Sequence, residues 1–74
     1  VYPNPTSDFV KIVNFLKCTN LQYDLYSSQG VKLLTNYIEN EAILDLRSFS
    51  PSYYFLIIHN DYGLNQRYKI ILLK

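Results

Sequence analysis

Tyr53–His59 (YYFLIIH), the turn Asn60-Asp61-Tyr62-Gly63, and Gln66–Leu73 (QRYKIILL) follow one another at the C-terminal end of the chain. Two short apolar runs rich in aromatic and β-branched residues, parted by a cluster of turn formers, read as strands rather than helix. Tyr53–His59 is apolar on both faces, which suits a central strand covered on both sides or one awaiting a partner. Gln66–Leu73 is a second, nearly continuous apolar strand.

Upstream the same grammar recurs. Ile43–Leu46 is a brief strand, and Arg47–Ser52 is a loop punctuated by Pro51. Leu21-Gln22-Tyr23-Asp24-Leu25 alternates apolar and polar with period two, as a half-buried strand does. Ser27-Ser28-Gln29-Gly30 is a turn in which Gly30 supplies a positive φ. Val31–Ile38 then completes a hairpin. Phe9–Val13 is the first apolar run, with Val10 and Ile12 on one face. The expected fold is all-β: a small antiparallel immunoglobulin-like β-sandwich of six to seven short strands, with turn signals about every 8–12 residues and no helical repeat.

The 74 residues form one domain, residues 1–74. Its composition is globular: 49% hydrophobic and 16% aromatic, with eight tyrosines and no tryptophan or methionine. At its start, Tyr2-Pro3-Asn4-Pro5 is stiff and extended, because each proline fixes its own φ and pushes the residue before it out of the α region. Residues 1–8 thus form a proline-containing lead-in, and Thr6-Ser7-Asp8 turns the chain into the first strand. A chain that opens on Val1 is expected to be one piece of a longer precursor, joined upstream to something else.

Several function classes find little support. Seven basic against six acidic residues leave a net charge of +1, which gives no footprint for nucleic acid. No apolar run approaches the roughly 20 residues of a transmembrane helix. Cys18, the only cysteine, cannot make an internal disulfide, and with His59 it lacks the third group that would orient a nucleophile and base. As the lone histidine at a strand end, His59 reads as a packing residue. Glu39, Glu41 and Asp45 lack the ligand spacing and glycine of a calcium loop, and Arg67, Lys69 and Lys74 are too sparse for a phosphate backbone. Asn4-Pro5-Thr6 has proline where a glycosylation acceptor forbids it. The tyrosines could form a glycan-stacking platform, but core filling and cross-strand pairing account for them. No catalytic residue, cofactor or metal site is expected.

The ordered set of motifs closely resembles the C-terminal sorting domain of the type IX (Por) secretion system, type A, of Bacteroidota. The resemblance rests on Tyr2-Pro3-Asn4-Pro5-Thr6 with Val10 and Ile12; on Leu21–Tyr26 with Gly30 before Val31-Lys32-Leu33; on Leu46, Phe49 and Ser52–Ile58; and on Lys69–Lys74. Two positions depart from the family pattern: Ser52 stands where glycine is usual, and Ser27 where aspartate is frequent.

The resemblance implies a non-catalytic signal. Cargo fused on its N-terminal side would cross the periplasm, meet the outer-membrane shuttle and translocon, and end at the outer-membrane surface or outside the cell. A surface cysteine sortase would remove the domain upstream of its folded part. Recognition is expected in the C-terminal strand, Lys69, Ile70, Ile71, Leu72, Leu73 and Lys74, by strand addition or groove docking. Tyr2, Pro3, Asn4, Pro5, Gly30, Tyr54, Leu56 and Ile58 are the structural motif positions, the last three facing the core. An exposed YFLII or KIILL strand could pair edge to edge with a second copy. The competing expectation is an immunoglobulin-like accessory module that binds glycan or spaces domains on a secreted protein.

Overall fold

The computed structural model describes residues 6–14 and 20–73. Among them the chain forms six strands and no helix: β1 (Phe9–Val13), β2 (Gln22–Ser27), β3 (Lys32–Tyr37), β4 (Glu41–Asp45), β5 (Ser52–His59) and β6 (Asn65–Leu72). β1 and β4 pair in a small sheet, and the other four are ordered β3-β2-β5-β6, with every strand pairing antiparallel. Read as strands B and E facing C′, C, F and G, this is the order of an immunoglobulin-type sandwich.

Period two decides what each strand buries. Val10, Ile12 and Leu44 point inward from the small sheet; Tyr23, Leu25, Tyr54, Leu56, Ile58, Ile70 and Leu72 point inward from the large one, and all join one apolar cluster. Leu25, Leu56 and Ile70 are fully buried, and each such side chain contributes about 1.5–3 kcal/mol of hydrophobic stabilisation. β5 is central, as its apolar run suggests, yet only one of its faces is covered. Tyr54, Leu56 and Ile58 are buried, while Tyr53 and Phe55 on the other side remain exposed. β4 begins earlier than the apolar run Ile43–Leu46, because Glu41 and Ala42 pair with Val13 and Ile12.

The connections are fixed by specific polar contacts. Tyr54, near the start of β5, donates its hydroxyl to the Ser50 carbonyl at 2.6 Å and stacks on Phe49 with ring centroids 5.7 Å apart. This is the tyrosine corner of immunoglobulin-like sandwiches. In the β2–β3 turn Gly30 has φ +86. Ser27 Oγ accepts the amides of Gln29 and Val31, both at 3.2 Å, so the hydroxyl does there what an aspartate carboxylate would do. Asn60 Oδ1 likewise accepts the amides of Tyr62 and Leu64, both at 3.0 Å, and closes the β5–β6 turn. Among the described residues, Asn20 is the only non-glycine with positive φ, so Ser52 occupies ordinary backbone and its Cβ causes no strain.

Candidate recognition surface

The expected recognition run divides by parity. Ile70 and Leu72 belong to the core, whereas Lys69, Ile71 and Leu73 stand on the outer face of the large sheet. Register brings Ile71 opposite Tyr53 and Lys69 opposite Phe55. The result is an apolar patch in which Tyr53 is 42%, Phe55 39%, Ile71 40% and Leu73 54% exposed. Tyr53 and Phe55 meet edge to face at 5.7 Å, and Lys69 Nζ lies 4.6 Å from the Tyr53 ring centroid, within cation–π range. A shallow groove of about 410 Å³ runs along Pro51, Ser52, Tyr53, Lys69, Ile71, Leu72 and Leu73.

The flank of β6 differs from the expectation of a bare edge. Thr6 forms a parallel bridge with Leu72: its amide donates to the Ile71 carbonyl at 2.9 Å, and the Leu73 amide donates to the Thr6 carbonyl at 2.7 Å. Thr6 is itself buried, with Oγ1 donating to the Phe9 carbonyl at 2.6 Å. The chain thus passes from the flank of the large sheet, through Ser7 and Asp8, into β1 of the small one. Strand addition at the C-terminal end of β6 is blocked where Thr6 sits. Tyr2, Pro3, Asn4, Pro5, Cys18 and Lys74 lie outside the described residues.

A polar network closes the other half of the outer face. Asp24, opposite Thr35 on β3, is only 8% exposed. Its Oδ1 accepts from Thr35 Oγ1 at 2.6 Å and lies 3.9 Å from Lys32 Nζ, while its Oδ2 lies 2.9 Å from His59 Nε2. Burial pushes the Asp24 carboxyl up, but the hydrogen bonds from Thr35 and His59 and the Lys32 charge outweigh it, leaving the group below its ordinary value. An ionised carboxylate only accepts, so Nε2 of His59 carries the proton between them. His59 is therefore more than a strand-end packing residue. No three His, Cys, Asp or Glu residues gather as a metal site among the described residues.

The acidic residues of β4, Glu41 and Asp45, are exposed. Glu41 pairs with Lys11 at 3.0 Å, and Asp45 with Arg47 at 2.8 Å. Reading the sequence alone leaves out Tyr53 and Phe55, which stand on this face beside Lys69 and Ile71. The available signal is the two-sided apolarity of YYFLIIH and KIILL, from which the outward half follows once the inward set is assigned.

A family model described as "Secretion system C-terminal sorting domain" matches residues 1–73. The chain belongs to this family. No curated protein and no solved structure matches it. A sorting domain is a C-terminal secretion signal, serving cargo attached on its N-terminal side and the secretion machinery, with delivery to the cell surface or the extracellular space. The family is one of signals rather than catalysts. The sorting domain has no helix long and apolar enough to cross a membrane among its described residues. The outer β5–β6 face of the sorting domain presents aromatic and aliphatic side chains with Lys69 beside them.

Proposed function

We propose that residues 1–74 act as one folded address label, with residues 1–8 as its lead-in, read in the periplasm by the shuttle and translocon of a type IX system in the outer membrane. The strand bearing Lys69–Lys74 carries the recognition. A surface cysteine sortase then cleaves upstream of the folded part, and the cargo reaches the outer-membrane surface or the medium. The observation that carries this reading is the family match over residues 1–73. The Thr6 tie to Ile71 and Leu73 agrees with it, since the attachment side of the cargo is anchored to the terminal strand.

The test is a fusion of residues 1–74 to the C-terminus of a periplasmic fluorescent reporter, in a host carrying the system. Reporter at the surface or in the medium is the expected result. Reporter trapped in the periplasm of that host would leave an accessory or spacer module as the better description.

A further inference from the structure

The outer face of the large sheet has an uneven charge. By register, Lys32, Arg67 and Lys69 share it with Tyr26, Ile57 and Phe55. Its one described acid, Asp24, is buried and holds Thr35 and His59, with Lys32 nearby. Asp8, Glu39, Glu41, Asp45 and Asp61 lie on or beside the small sheet or in loops. Arg67 is exposed and makes no ion pair among the described residues. An apolar patch bordered by cations fits a partner with the opposite arrangement, because complementary charge steers encounter and selects the partner. The Thr6 bridge meanwhile occupies the flank of β6 at Ile71 and Leu73.

We infer that the outer β5–β6 face, formed by Tyr53, Phe55, Arg67, Lys69, Ile71 and Leu73, is the surface on which the domain docks, and that its counterpart is a protein surface with an apolar ridge flanked by carboxylates. The inference rests on the sorting function proposed above and specifies which side chains are read. Docking is face-on: the buried side chains of Ile70 and Leu72 hold the strand in place.

The experiment follows the reporter fusion of residues 1–74 in four forms besides the native one: Arg67→Glu/Lys69→Glu, Arg67→Gln/Lys69→Gln, Phe55→Thr/Ile71→Thr, and Ile43→Thr on the exposed side of the small sheet. Thermal unfolding of each purified domain establishes that it is folded. The expected result is export slowed by about tenfold or more in the glutamate pair, less in the glutamine pair, slowed also in the threonine pair, and unchanged in Ile43→Thr. Native-like export of a folded glutamate pair would overturn the inference while leaving the sorting function standing. Failure of the native fusion to leave the periplasm would remove the sorting function and this inference with it. Co-sedimentation with phosphatidylglycerol vesicles, lost in the glutamate pair, would assign the face to an anionic membrane instead and overturn the protein partner. A native dimer that Phe55→Thr/Ile71→Thr dissociates would assign it to a second copy, with the same consequence.

Discussion

Removing the Tyr54 hydroxyl leaves its ring stacked on Phe49 and takes away the donor to the Ser50 carbonyl. Tyr54→Phe is therefore expected to cost about 1–2 kcal/mol in urea unfolding, whereas Tyr54→Ala opens a cavity and costs about 3–5 kcal/mol. Export lost in the alanine variant would report unfolding rather than a missing contact. Gly30 gives a cleaner test of backbone alone. Nothing lies within 4 Å of a Cβ built there, so Gly30→Ala should cost only the left-handed conformation, about 1–2 kcal/mol.

The carboxylates set the acid limb of stability. Hydrogen bonds from Arg47 hold Asp45 at about 2 against an ordinary 3.8, and Asp24 is lowered as well. A group depressed in the folded state stabilises above its unfolded value and loses that contribution as pH falls through the folded one. The unfolding temperature should thus hold above about pH 4 and decline from there toward pH 2, with a shallower decline in Asp45→Asn. Tyr23, raised by burial, works at the other end, losing its contribution as pH climbs past 10.

Along β6, alternation assigns opposite consequences to neighbouring residues. Ile70→Ala and Leu72→Ala remove fully buried side chains and should each cost about 2–5 kcal/mol. Ile71→Ala and Leu73→Ala remove exposed ones and should stay within about 0.5–1 kcal/mol. Denaturant unfolding of the four variants checks the pattern, and equal losses at Ile70 and Ile71 would contradict the register. The strands themselves were legible because period two and the turn residues Gly30, Asn60 and Gly63 act locally. The inward side of YYFLIIH was legible too, through Tyr54, Leu56 and Ile58; which face of KIILL lies inward was not, since both its faces are apolar and only pairing across the sheet settles it. The Asp24–His59 contact and the Thr6–Leu72 bridge were hidden for the same reason: their partners are far apart in sequence and meet only through sheet order.

At the scale of the molecule, the small sheet balances its charges in the pairs Lys11–Glu41 and Arg47–Asp45, while the large sheet shows cations beside an apolar patch. One core holds the two sheets together. A net charge of +1 gave no footprint for nucleic acid, but it concealed this asymmetry. The sum says nothing about which sheet carries which sign.

Deleting residues 1–74 from the precursor that carries them, and following the cargo by fractionation of the cells and medium, tests the secretion role most directly. The cargo should be made, folded and retained behind the outer membrane. Cargo that still reaches the surface or the medium at its usual rate would contradict the account.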